Sequence, residues 1–265
     1  MPAEREYRRI AVFGGVYSNW RALAALLEDA CRREAEAVFC LGDMGGFGPH
    51  PDRVFPLLRE GGVLAIQGNY DASLASGRTD CGCGYTDPRD NHYALVSYRY
   101  TARNTSAENA AWLAGLPGHR RVKLGPHRLL MCHGSPRLIN EFLWESTTPN
   151  GLVGALLARH EADAILCSHT GIKWHRALAP DRQLVNVGVI GRPENDGTPR
   201  VWYALLTAGP DLGVEFVPLE YDHEGLAREM EAEGLPAEFA ATIRTGWWTT
   251  CLENLPWRER QRGRF

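Results

Sequence analysis

An α/β fold is predicted, from three observations. Short apolar runs end in glycine-containing polar loops, stretches of helical periodicity follow those loops, and the pattern recurs within the first 70 residues. Ile10-Ala11-Val12-Phe13 reads as a strand entering Gly14-Gly15-Val16-Tyr17-Ser18-Asn19, with a helix over residues 20–31 that places Leu23, Leu26 and Leu27 on one face. Residues 37–41 open the same way into Gly42-Asp43-Met44-Gly45-Gly46, and residues 63–66 into Gly68-Asn69-Tyr70-Asp71. In open α/β sheets such loops line the crevice beyond the carboxyl ends of the strands, where ligands bind.

Periodicity fails over residues 76–105, a turn-rich stretch that reads as one long loop. A helix over about 106–116 stops at Pro117, and strands near 120–123 and 127–132 lead to His133-Gly134-Ser135-Pro136. A helix over 152–160 precedes the apolar run 164–167, which ends in Ser168-His169-Thr170-Gly171. Residues 184–191, 201–206 and 214–219 read as strands of a second sheet, and helix resumes near His223. Residues 1–246 are therefore expected to form one domain, with 247–265 as a charged C-terminal tail.

The 265 residues are 44% hydrophobic and 23% charged, which excludes global disorder. A net charge of -3 carries no basic footprint for nucleic acid or a membrane surface, and no run is long enough to span a bilayer. Without a signal-type segment, a cytoplasmic location is expected. Seven cysteines, odd in number and sparse, argue against a disulfide framework and for reduced thiols.

The order Gly42-Asp43, Gly68-Asn69-Tyr70-Asp71, His133-Gly134, His169-Thr170 resembles the loops of the calcineurin-like metallophosphoesterases, in particular the small bacterial type. Asn186-Val187-Gly188 through Arg192-Pro193 extends the resemblance. It implies a four-layer sandwich of two mixed β-sheets flanked by helices. It also implies divalent ions (manganese, iron, zinc or nickel) that clamp a phosphate and lower the pKa of bound water.

Against that family's two-ion pattern, Gly15 stands where an aspartate belongs, Tyr17 where a histidine belongs, and Gly171 where the last histidine belongs. All three losses fall on the first ion. Asp43, Asn69, His133 and His169 are the second-ion set implied by the resemblance. Two dications about 3.5 Å apart repel by roughly 19 kcal/mol at an effective dielectric near 20, and position 15 no longer supplies a compensating carboxylate. One ion per chain is expected, on two imidazoles and two oxygens. The resemblance further implies catalytic roles for Asp43, Asn69, Tyr70, Asp71 and His133, although Tyr70 replaces the family's leaving-group histidine. Arg137 and Arg192 are candidates to fork onto phosphate oxygens.

The expectation is thus a metal-dependent phosphoesterase with a partly degenerate, mononuclear site, acting on a phosphorylated small molecule or a phosphodiester. The alternative is a non-catalytic descendant that binds a phosphorylated ligand, a metal or a protein. His175, Tyr17, Asp71, Cys132 and Cys167 are weighed as substitute ligands, and Cys81-Gly82-Cys83 with His92 as a zinc or redox site.

Overall fold

The computed structural model describes residues 5–261. Chain order runs β1 (Glu6–Tyr7), β2 (Arg9–Phe13), α1 (Trp20–Arg32), β3 (Ala37–Cys40), a single 3-10 turn (Pro51–Arg53), α2 (Val54–Glu60), β4 (Leu64–Ala65) and α3 (Asn69–Ala75). Then come α4 (Pro88–Asn104), α5 (Ala107–Ala114), β5 (His119–Leu124), β6 (His127–Cys132), α6 (Asn150–Arg159), β7 (Ala164–Cys167), β8 (Trp174–Ala179) and β9 (Arg182–Asn186). The chain closes through β10 (Val201–Thr207), β11 (Gly213–Leu219), α7 (His223–Ala232), α8 (Ala237–Thr245) and α9 (Trp257–Arg260).

Two mixed sheets result, in the orders β11-β10-β2-β3-β4 and β1-β5-β6-β7-β9-β8. Strand alternation explains the layers. Ile10 and Val12 of β2 point inward and meet Leu129 and Met131 of β6 and Leu166 of β7 in the core between the sheets. Ala11 and Phe13 point the other way, onto Leu23 and Leu26 of α1. On the far side, Leu130 and Ile165 pack against Val153, Leu156 and Leu157 of α6. The order helix, sheet, sheet, helix is the sandwich expected from the resemblance.

In each sheet three strands run parallel, β2-β3-β4 in one and β6-β7-β9 in the other. Their carboxyl ends therefore deliver the loops after residues 13, 40, 65, 132 and 167 to the functional edge. Asn19 secures the first of these. Its side chain accepts the Ala22 N–H to cap α1, and its Nδ2 donates to the Ile190 carbonyl at 3.2 Å.

Four readings of the sequence need correction. Segment 76–105 is not one loop, because α4 occupies its second half; Asp87 caps this helix with Pro88 in its first turn. Its buried face uses Asp90, Ala94, Ser97, Tyr98 and Thr101, so small and hydroxylated residues replace the leucines that a periodicity search looks for. The strand expected over 184–191 ends at Asn186 and pairs with β7, whereas β10 and β11 join β2 in the other sheet. The six-stranded sheet also contains β8, a strand whose alternation is too weak to read.

The described part of the C-terminal tail, residues 247–261, is packed. Asp90 accepts the N–H groups of Cys251, Leu252 and Glu253, each at 2.7 Å, and Trp248 and Leu255 are buried. Residues 262–265 of that expected tail lie outside the described residues. Finally, Cys81 and Cys83 form a disulfide, so not all thiols are reduced; Cys31, Cys40, Cys132, Cys167 and Cys251 are free. The single intervening residue, Gly82, takes a positive φ of 62° that lets the two sulfur atoms turn toward each other. Among the described residues no helix is long and apolar enough to cross a membrane.

Candidate metal centre

Asp43, His133 and His169 offer ligand atoms that all lie within 4.8 Å of one another, and all three residues are buried. The strand ends dictate this meeting. After β3 the chain turns sharply at Gly42, whose φ of 95° only glycine adopts readily and where a Cβ would lie 2.4 Å from the Gly68 nitrogen. Asp43 itself sits at φ 59° and His169 at φ 32°. Left-handed backbone at two non-glycine residues costs free energy, and such costs concentrate where a side chain must be aimed.

Asp71 holds the first of these turns. Its Oδ2 accepts the N–H groups of Asp43 at 2.7 Å and Gly68 at 2.8 Å, while Oδ1 accepts that of Met44 at 3.0 Å. Burial, with the Asp43 carboxylate behind it, pushes the Asp71 pKa up to about 7. The second turn is held by Asn186, whose Nδ2 donates to the Ser168 carbonyl and to Thr170 Oγ1, both at 2.8 Å.

His133 donates Nδ1–H to the Leu41 carbonyl at 2.6 Å. That puts a proton on Nδ1 and turns Nε2 to the centre, 3.2 Å from Asp43 Oδ2, to which it donates when the ring is charged, and 3.1 Å from His169 Nδ1. Burial disfavours charge on both rings. In His133 the Asp43 carboxylate overrides burial and raises the pKa; in His169 burial and the neighbouring His133 take it down to about 3. Asp43 is held below the usual carboxylate range, since His133 outweighs the burial that would raise it.

Asn69, at the start of α3, donates Nδ2–H to the Cys81 carbonyl at 2.8 Å and points toward Cys83 Sγ at 3.6 Å. This anchors the amide and turns its oxygen inward. Asn69 Oδ1 and His169 Nε2 are both buried with no hydrogen-bond partner, a costly state for polar atoms. An unpartnered amide oxygen and an unpartnered ring nitrogen beside an aspartate and a second imidazole are a ligand set that fits a divalent transition metal.

Other expected residues fall differently. Tyr70 lines the same cavity, gives its N–H to Asp43 Oδ1 at 3.0 Å, and shares a hydrogen bond with Ser97 Oγ at 2.8 Å. Burial pushes its phenol pKa up, so it stays protonated. Arg192 lines the cavity, is buried, and lies 3.5 Å over the Trp248 ring. Arg137 instead pairs with Glu141, in a separate depression. His175 bonds to Gln183, and Cys132 and Cys167 are buried in the apolar layer beneath α6, so none of the three points at the centre. The disulfide withdraws Cys81 and Cys83 from zinc binding.

The side chains missing at positions 15 and 171 have left no space. A Cβ on Gly15 would sit 2.6 Å from the Tyr17 ring, and one on Gly171 would sit 3.2 Å from the Trp248 ring and 3.6 Å from Arg192. Two rings and a guanidinium occupy the ground beside Asp43 and His169. Sequence reasoning missed Trp248, Phe142 and Trp144 as cavity residues; aromatic side chains far from the loops in sequence gave no positional signal.

Residues 9–209 match the calcineurin-like phosphoesterase superfamily domain. The chain belongs to that superfamily. An uncharacterized protein of Methanocaldococcus jannaschii is 25% identical over 241 residues, spanning 86% of this chain and 93% of the relative. Two solved structures of the superfamily fold superpose well. A hypothetical protein from Pyrococcus horikoshii does so with a TM-score of 0.76 at 22% identity, and a metallophosphoesterase from Sphaerobacter thermophilus with 0.70 at 24%. Each comparison covers 91% of this chain and 99% of the other.

Proposed function

We propose that this chain is a metal-dependent phosphoesterase with a mononuclear centre formed by Asp43, Asn69, His133 and His169. The observation that carries the reading is the pair of buried polar atoms without partners, Asn69 Oδ1 and His169 Nε2, beside Asp43 and His133. Manganese, iron, zinc and nickel all suit two imidazoles and two oxygens. When bound, such an ion polarises a phosphoryl oxygen and lowers the pKa of water.

The protein's own residues supply the rest. Asp43 contributes the negative charge that retains a cation, and Leu41 locks the imidazole of His133 through its carbonyl. Arg192 supplies a second positive charge. It has no ion pair within 4 Å among the described residues, and its Nε is buried without an acceptor, which suits two forked hydrogen bonds to phosphate oxygens. Tyr70 keeps its proton and can donate it only as a hydrogen bond. Asp71 acts through the backbone of Asp43 as a positioning residue. Arg137, tied to Glu141, lies outside this arrangement. Substrates are phosphorylated small molecules or phosphodiesters.

The test pairs elemental analysis with turnover. About one ion per chain, lost in His169→Ala, together with metal-dependent hydrolysis of a phosphate monoester or diester that Asp43→Asn abolishes, is the expected result. Two ions, or none, would overturn the mononuclear centre. The rings packed at Gly15 and Gly171 favour one second reading, a phosphate-ester binder that does not turn over; one bound ion and ligand binding without hydrolysis would establish it.

A further inference from the structure

Resting on that reading, the cavity also describes the other half of the ester. Nine of its 20 lining residues are Phe, Tyr or Trp, in a chain where these types make up 9%. They are not a closed core, because they face a space that also reaches Asp43, Asn69, His169 and Arg192. Aromatic faces left against water forgo the gain of burial, a standing cost that an apolar occupant removes.

The polar handles of three of these rings are engaged elsewhere. Tyr93 donates its hydroxyl hydrogen to Glu238 at 2.5 Å, Tyr70 is bonded to Ser97, and Trp248 donates Nε1–H to the Pro193 carbonyl at 2.6 Å. What these three, with Phe47, Phe142 and Phe239, present to the cavity is carbon. Fully buried polar atoms without partners gather mainly at the metal end, as Asn69 Oδ1, His169 Nε2 and Arg192 Nε; on the aromatic side Asn254 Nδ2 is the one such atom among the described residues. Such a wall suits a flat ring far better than a sugar or a peptide, whose hydroxyls and amides would go unpaired.

Ring geometry says how near the phosphorus that group sits. Phe142 lies 4.4 Å from the His169 ring, centroid to centroid, and stacks on Trp144 at 5.7 Å with planes 8° apart. Trp248 covers Arg192 on the other side. The aromatic wall therefore begins at a candidate metal ligand and at the candidate phosphate-binding cation.

We infer that the site takes phosphate esters of flat aromatic alcohols, with the ring within an atom or two of the ester oxygen and seated against Phe142 and Trp144.

Phenylphosphonate and methylphosphonate, two analogues without a scissile ester bond, separate this inference from the phosphoesterase reading. Titration calorimetry on the full chain, with its metal content measured, is expected to show phenylphosphonate binding about tenfold more tightly. In Phe142→Ala and Phe142→Leu that preference should fall to about threefold or less, the ratio cancelling any common loss at the phosphate end. The leucine variant keeps an apolar side chain of useful size should the alanine variant fold poorly. Equal affinities in the wild type, or an unchanged ratio in a folded variant, would overturn the aromatic assignment while leaving the phosphoesterase reading intact. Binding of neither phosphonate to metal-loaded protein would overturn both.

Discussion

Asp71 Oδ2 accepts the main-chain N–H of Asp43 at 2.7 Å, so one buried carboxylate sets the direction of another. Among the described residues the second of these offers the only carboxylate in the candidate centre. Asp71→Ala would leave three buried N–H groups, those of Asp43, Met44 and Gly68, without an acceptor. At about 1–3 kcal/mol each, with partial relaxation, a loss of roughly 3 kcal/mol is expected. Urea unfolding measures it, and metal content should drop in the same variant although no ligand has been changed.

Gly42 tests the turn itself. At φ 95°, with a Cβ landing 2.4 Å from the Gly68 nitrogen, Gly42→Ala must push two loops apart. We expect about 3 kcal/mol or more of destabilisation, read as a fall in urea midpoint, because the obstacle is backbone.

Gly15→Asp, designed to restore a carboxylate beside the centre, should not bring in a second ion. The new side chain would meet the Tyr17 ring at 2.6 Å and Val189 at 3.0 Å, and overpacking of this kind costs about 1–3 kcal/mol. Elemental analysis should still find one ion per chain, with a lower melting temperature. A double variant with Tyr17→Ala removes the ring and is the better route to a second ion.

Arg192 should show stability and binding moving in opposite directions. Its charge is buried without a carboxylate partner among the described residues, and stacking on Trp248 offsets only part of the desolvation. Arg192→Met is expected to raise stability by about 1 kcal/mol and to weaken inorganic phosphate binding at least about tenfold. Thermal unfolding and calorimetry measure the two effects separately. Arg192→Lys should not recover phosphate binding, because a lysine lacks the planar fork.

What the sequence disclosed and what it concealed differ for physical reasons. Gly42-Asp43 and His133 were legible because a polar loop after an apolar strand is a local signal, and parallel strands carry such loops to one edge. Segment 88–104 was not legible as a helix, since its buried face of Ala94, Ser97 and Thr101 packs small groups against loops instead of leucines against a sheet. Asp71 was readable as a site residue but not as the acceptor of three backbone N–H groups, which needs the fold. Arg192 could be nominated as a cation in the right loop. That Trp248 lies on it depends on a chain reversal some 55 residues later and left no local trace.

The C-terminal segment fastened by Asp90 has a consequence for how the protein is made. Asp43, Asn69, His133 and His169 all leave the ribosome well before Trp248, Cys251 and Asn254, which complete the cavity wall. Domains assemble from the amino end during synthesis. Until those three residues have been made, the strand-end side chains lack the far part of their aromatic wall, so this cavity is completed only after its polar end has been synthesised.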